Sequence, residues 1–249
     1  MFKKITRLMK RAYLTSILRV QCSGENIIKC GNDYGGFLVA TDILDKINKK
    51  RNLIVYSFGI GEDLSFSKDV LKRWNCDIYA FDPTPKAVQY VKQSNLVKSE
   101  GFHFYEWGIS DQNGTGKFHL PKEEIYVPKN LVGYSDVQEV SGSIIQHEGV
   151  EGEIIDVELK TLKTIMRCLN HETIDLLKMD IEGAEFAVID EILNSGIVFK
   201  ELCVEIHNRF FKNGNTLLKK MIKKLNESQY YIAGVDPDLM EVLFLYKHN

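Results

Sequence analysis

The segment IDLLKMDIEGAE, residues 174–185, restricts what this chain can fold into more than any other stretch. Its first six residues read as a short buried strand, with only Asp175 and Lys178 polar among them. Two carboxylates, Asp180 and Glu182, stand where that strand must stop, and Gly183 then opens a new helical pattern. A buried strand that ends in acids, turns at a glycine and enters a helix is how an open α/β sheet presents functional groups at its carboxyl edge. Buried carboxylates are costly without a partner. These acids must therefore face a polar crevice, or bind something cationic or hydroxylic.

The same alternation runs from Leu53 onward. LIVYSF (53–58) reads as a buried strand followed by Gly59 and Gly61, with a helix from Ser65 to about Trp74. DIYAFD (77–82) is a second strand ending on an acid, and Thr84 with Pro85 supplies the N-cap and first turn of a helix over KAVQYVKQS. FHFYEWGI (102–109) alternates as a third strand, with which GKFHL (116–120) is expected to pair across Asn113–Gly114. After VELKTL (157–162) and a helix near 161–169 comes the strand that ends at Asp180, then a helix over 185–194. ELCVEIH (201–207) is the next strand and carries Glu205 and His207; a helix over 215–227 follows. The chain closes on strands YYIAGV (230–235) and EVLFLY (241–246). Such alternation predicts a mostly parallel sheet with right-handed crossovers. The last two strands have no helix between them, so one should run antiparallel at an edge. Prolines and glycines over 121–153 mark an irregular substrate-side insertion, a lid or a disordered segment.

A chain of 249 residues suits one α/β domain, here 51–249, preceded by a helical and loop extension over 1–50. The net charge of -2 gives no electrostatic case for nucleic acid as a partner. Five cysteines without a CxxC spacing favour reduced thiols in a cytoplasmic setting. Residues 1–20 carry six cations and no acid, with Phe2, Ile5, Leu8, Met9, Tyr13 and Ile17 at helical spacing. That helix either docks on its own domain or a partner subunit, or makes peripheral contact with an anionic membrane surface.

Gly59 and Gly61 form a turn between strand and helix, a weak signal by itself. Asp82, which ends the next strand 23 residues after Gly59, adds an acid near the spacing at which a ribose diol is gripped. The dinucleotide fingerprint would need a third glycine where Leu64 stands. Glu62 and Asp63 follow Gly61 directly and would repel a pyrophosphate by roughly 1 kcal/mol or more per pair. A donor carrying ammonium and sulfonium charges and no phosphate, such as S-adenosylmethionine, would be favoured there. The competing reading of Glu62, Asp63 and Ser65 is helix capping. KCGNDYGGF (29–37) reads as an ordinary polar turn or a substrate-side loop.

With the glycine turn, Asp82 and KMDIEGAE in hand, the chain resembles the FkbM-type S-adenosylmethionine-dependent methyltransferases over roughly 53–207. FDPTP (81–85) and WGISD (107–111) fit that family's second and third strand ends. The resemblance implies the class I (Rossmann-like) methyltransferase fold, α/β with a seven-stranded mostly parallel sheet and an antiparallel last strand. It also implies O-methylation, of a sugar, lipid or polyketide-type hydroxyl. The family's acid two residues before the first glycine, which contacts the donor ammonium, is Ser57 here. Either Glu62 or Asp63 supplies that charge, or the amino-acid end is held differently. Trp107 and Ile109 then flank the adenine, or are plain core.

Methyl transfer to an alcohol needs alignment of oxygen, carbon and sulfur, and removal of the hydroxyl proton by a base or a metal. Asp180, Glu182 and His207 are the candidate catalytic residues. Asp180, Glu205 and His207 also make a carboxylate–histidine set suited to Mg²⁺, Mn²⁺ or Fe²⁺. His207 is otherwise a metal-free general base or a structural histidine, and Glu182 and Glu185 are alternatively helix caps. The expected function is methylation of a hydroxyl on a sugar, a glycan or sugar nucleotide, or a similar small molecule. The rivals are a nicotinamide-dependent oxidoreductase and a non-catalytic donor-binding partner protein.

Overall fold

In the computed structural model, described over residues 2–22, 24–120 and 153–247, the chain opens with helix α1 (Phe2–Ile17). A hairpin of β1 (Ile27–Cys30) and β2 (Phe37–Ala40) follows, then α2 (Thr41–Asn48). The alternation begins with β3 (Leu53–Phe58), α3 (Ser65–Arg73), β4 (Cys76–Phe81), α4 (Pro85–Gln93) and β5 (Phe102–Tyr105). Three more strands, β6 (Gly108–Ile109), β7 (Gly114–His119) and β8 (Ile154–Lys160), lead to α5 (Leu162–Cys168). Then come β9 (Ile174–Met179), α6 (Glu185–Asn194), β10 (Phe199–Glu205), α7 (Gly214–Glu227), β11 (Tyr230–Val235) and β12 (Glu241–Tyr246).

Seven strands form one sheet in the order β11-β12-β10-β9-β3-β4-β5. Strands β10, β9, β3, β4 and β5 are parallel, while β12 is antiparallel to both of its neighbours. The expected seven-stranded sheet with an antiparallel last strand is therefore what the chain forms. Its position differs from the expectation. Strand β12 lies inside the sheet between β10 and β11, and β11 takes the edge. The reversal is made at Asp236, whose carboxylate accepts from the backbone N–H groups of Asp238, Met240 and Glu241. That turn folds β12 back along β10, where every residue from Glu241 to Leu245 is buried.

Both faces of the sheet are covered, so the central strands are largely buried and successive residues enter different cores. Tyr56, Leu177 and Leu202 join the layer that includes α5, α6 and α7. Val55, Leu176 and Cys203 join the layer built with α2, α3 and the N-terminal hairpin. Strand β9 has no exposed position, and its Asp175 is balanced by a bidentate pair with Arg51 at 2.7 Å and by the N–H of Ile54.

Two expectations about the middle of the chain are corrected. The third strand stops at Tyr105, because Gly108–Ile109 leaves the main sheet to pair with β8. The segment after Asn113 pairs with β8 as well, antiparallel over Gly114–His119, rather than with the third strand. Glycine is the cause. A Cβ at Gly108 would sit 2.6 Å from Leu159 Cδ2, and one at Gly116 would overlap Leu159 Cδ1, so both glycines close around the Leu159 side chain. The irregular insertion lies outside the described residues from 121 to 152.

The N-terminal extension holds more order than expected, since it contains the β1–β2 hairpin and α2. Strand β2 packs on the main sheet, where Cys203 Sγ donates to Leu38 O at 3.0 Å and Ala40 N donates to Glu201 Oε2 at 3.0 Å. Helix α1 docks on the same domain: Leu14 and Ile17 pack against the core, and the Arg11 guanidinium donates to Pro237 O at 2.6 Å. Leu8 and Met9 stay 60% and 68% exposed. Among the described residues no helix is long and apolar enough to cross a membrane.

Candidate active site

The carboxyl ends of β3, β4 and β9 meet at Gly59. This glycine has φ +74°, and a Cβ on it would overlap the carbonyl oxygen of Asp180, so only glycine fits. Lys178 ties the two strand ends from below, donating through Nζ to Phe58 O at 3.2 Å and to Gly59 O at 2.6 Å. Asp82 holds the rest of the turn. Its Oδ2 accepts from Ile60 N and Gly61 N, both at 2.9 Å, and its Oδ1 accepts from Thr84 N at 2.9 Å and Thr84 Oγ1 at 2.6 Å. A carboxylate offers about four acceptor positions. A ribose diol would reach Asp82 only by displacing one of these donors.

The neighbouring acids are also engaged. Glu62 pairs with Lys86 at 2.7 Å on the surface. Asp63 accepts from Ser65 N through Oδ1, the capping role, and from Asn32 Nδ2 at 2.6 Å through Oδ2. Ser65 Oγ accepts from Asn32 N at 3.0 Å. The loop between β1 and β2 is thus fastened over the start of α3. Ser57 is buried within β3, level with Lys178 across the strand pair. The charge at this level of the sheet is therefore a cation.

Three acids of IDLLKMDIEGAE, Asp180, Glu182 and Glu185, face His207. Strand β10 ends at Glu205, and His207 lies just beyond it, at the start of a short turn over Asn208–Phe210, rather than within the strand as expected. The imidazole is 1% exposed, with four carboxylates around its nitrogens and the Phe210 ring centroid 5.1 Å from its own. Its Nδ1 lies 2.9 Å from Glu185 Oε1, which also accepts from Ile181 N and Gly183 N. Its Nε2 lies 3.1 Å from Glu182 Oε2, 3.7 Å from Glu205 Oε1 and 3.9 Å from Asp180 Oδ1. Burial pulls the imidazole pKa down, but Glu185 and Glu182 outweigh it and hold the ring well above its ordinary value. Desolvation, and then the Glu205 charge, push the Asp180 carboxyl up to about 7, against the pull of Lys178 at 3.7 Å. Glu182 occupies the left-handed region at φ +51°, which a non-glycine residue adopts at a cost of about 1–3 kcal/mol.

One family model, described as a methyltransferase FkbM domain, matches residues 54–232, from the first strand of the sheet through the first half of β11. The chain belongs to the FkbM methyltransferase domain family. A curated relative, the 2-O-methyltransferase NoeI of Sinorhizobium fredii (strain NBRC 101917 / NGR234), is 27% identical over 149 residues, 57% of this chain. The chain spans 58% of that relative's length. Similar solved structures include the Methanococcus jannaschii fibrillarin pre-rRNA processing protein, at TM-score 0.44 and 11% identity, covering 90% of this chain and 84% of that one. Another is SMU.1697c of Streptococcus mutans in complex with SAH, at TM-score 0.42 and 10% identity, covering 83% and 97%.

In this member of the FkbM domain family the two residues expected beside the adenine differ in exposure. Trp107 is half-buried at the end of a stack that runs through Phe58, Phe81 and Tyr105, and Lys160 Nζ sits 4.6 Å from its ring centroid. Ile109 is 2% exposed and packs in the core, which accords with the alternative reading of that position as core. The sequence reading leaves Lys178 without its role as the brace of the turn and favours a helix cap for Glu185. A lysine inside an apolar strand was the available signal, because a buried lysine is nearly always paired.

Proposed function

We propose that this methyltransferase transfers a methyl group from S-adenosylmethionine to a hydroxyl oxygen of a sugar, glycoconjugate or similar polyhydroxyl small molecule. The observation that carries the reading is the contact between Gly59 and Asp180. The main chain of Asp180 closes the donor turn, while its side chain reaches into the cluster around His207. Donor and acceptor ends therefore share one residue. In the reaction the acceptor oxygen forms a bond to the methyl carbon as the C–S bond breaks. That electron pair stays on sulfur, giving S-adenosylhomocysteine, and the hydroxyl proton passes to the carboxylate–imidazole cluster. Holding the three atoms in line is the main demand on the protein.

The rim of Asp180, Glu182 and Glu205 suits a polyol, whose other hydroxyls would donate to carboxylate oxygens. The 2-O-methyltransferase name of the curated relative supports oxygen as the accepting atom. Against a nicotinamide-dependent oxidoreductase stand Leu64 in place of the third glycine and the acids at 62 and 63. The test is to incubate the full chain with labelled S-adenosylmethionine and a panel of sugars, glycosides and sugar nucleotides. A product one methyl heavier at a hydroxyl is expected. Binding of NADH with none of S-adenosylhomocysteine would overturn the reading.

A further inference from the structure

We infer that Asp180, Glu205 and His207 form a binding site for a divalent cation of the Mn²⁺ or Mg²⁺ kind, at the acceptor end of the crevice. The inference rests on the methyl-transfer reading for its purpose, and on geometry for its existence. Each of the three residues offers one ligand atom, and these atoms lie within 4.8 Å of one another, the spread that one ion's first shell spans. Two carboxylates and one imidazole are an oxygen-rich set that suits Mn²⁺ and Mg²⁺ better than the softer metals.

Two further observations point the same way. His207 is oriented as metal-bound histidines are: Nδ1 is held by a buried carboxylate, Glu185, itself locked by two backbone N–H groups, and Nε2 is turned into the cluster. Asp180 Oδ1 and Glu185 Oε2 are both buried without a hydrogen-bond partner among the described residues, and Asp180 Oδ1 lies 3.9 Å from Nε2. Four carboxylates converge here, at 180, 182, 185 and 205, against the cations Lys178 and Arg209 and the imidazole. A dication at the centre would satisfy both the excess negative charge and the orphaned Asp180 oxygen. Glu182, now nearest to Nε2, would yield that nitrogen to the ion and become a third oxygen beside it. A bound ion would lower the pKa of an acceptor hydroxyl in contact with it.

The test uses the full chain and Mn²⁺ alone, following the loss of the free-ion electron paramagnetic resonance signal. One saturable site per chain is expected. Glu205→Gln and His207→Gln should each weaken it at least tenfold, and Glu185→Gln, which acts on the ion only through the histidine, by about 10–100-fold. If a variant fails to fold, the wild type decides: Mn²⁺ should broaden the ring proton signals of His207 before those of the other five histidines. Absence of saturable binding at millimolar Mn²⁺, or binding unchanged in folded variants, would overturn the site. Methyl transfer that persists in EDTA with no bound Mn²⁺ would overturn the metal alone. Mn²⁺ held at these residues without transfer to any hydroxyl would uphold the site and overturn the proposed acceptor chemistry.

Discussion

Replacing Asp82 by Asn probes the turn proposed to hold the donor. The Asp82 carboxylate accepts four hydrogen bonds, two on each oxygen. An Asn side chain keeps one oxygen and places an NH₂ group against two donors. If the oxygen stays on the Thr84 side, Ile60 N and Gly61 N lose their acceptor and face a donor instead. Each hydrogen bond to a charged group contributes about 1.5–3 kcal/mol. Two of the four are lost and two weakened, with some relief by rotation, so D82N should cost about 3–5 kcal/mol. Against a typical total of about 5–15 kcal/mol the chain stays folded in dilute buffer, but its urea midpoint falls clearly. S-adenosylhomocysteine affinity measured by calorimetry should fall in parallel, because the backbone of 59–61 is no longer held. A midpoint and an affinity both equal to wild type would refute the reasoning. A lower midpoint with unchanged affinity would show that this turn does not hold the donor.

Gly59→Ala and Gly61→Ala form a matched pair, since both residues have positive φ but only Gly59 lies against Asp180. G61A should cost about 1–2 kcal/mol from backbone strain alone. G59A should cost more and abolish turnover by separating the two strand ends, and equal effects in a thermal-shift and activity comparison would contradict the packing account. Glu201 is fully buried, and burial lifts its carboxyl well above 4.5, an effect that the bond from Ala40 N only partly opposes. A raised folded pKa gives stability that is complete below about 4.5 and lost as the pH rises through the raised value. E201Q should therefore raise the urea midpoint at neutral and alkaline pH and flatten its decline across that window; an unchanged pH slope would contradict this. Deleting residues 2–17 removes the Leu14 and Ile17 contacts and should cost about 2–4 kcal/mol, seen as a lower melting temperature. An unaltered melting temperature would show that α1 does not support the fold.

The strand and helix rhythm was legible because both faces of the sheet are covered, which leaves uninterrupted apolar runs such as LIVYSF and IDLLKM between helical patterns. What local pattern could not show is lateral placement. Nothing in EVLFLY says that it slips between two strands, because that order is decided by the tertiary path of the Asp236 turn. The hairpin over 27–40 escaped notice since its strands are four residues each and its loop carries the stronger polar signal. Gly108 hid a sheet change, for alternation continued unbroken through Glu106 and Trp107 while the chain left the main sheet. At the site, Asp180, Glu205 and His207 could be gathered from strand ends alone. Glu185 could not, because an acid in a first helical turn looks like a cap whether or not it also reaches a histidine. Asp63 shows the reverse: it reads as a ligand for a cationic donor but caps α3 and binds Asn32.

Asp180→Ala tests the central claim that this residue joins donor and acceptor sites, reading turnover by labelled methyl transfer and donor affinity by calorimetry with S-adenosylhomocysteine. The backbone oxygen against Gly59 survives the substitution, while the side chain facing His207 is removed. Turnover should therefore disappear with donor affinity within a few-fold of wild type. Parallel loss of both would make Asp180 a donor ligand, and full turnover without its carboxylate would contradict the account.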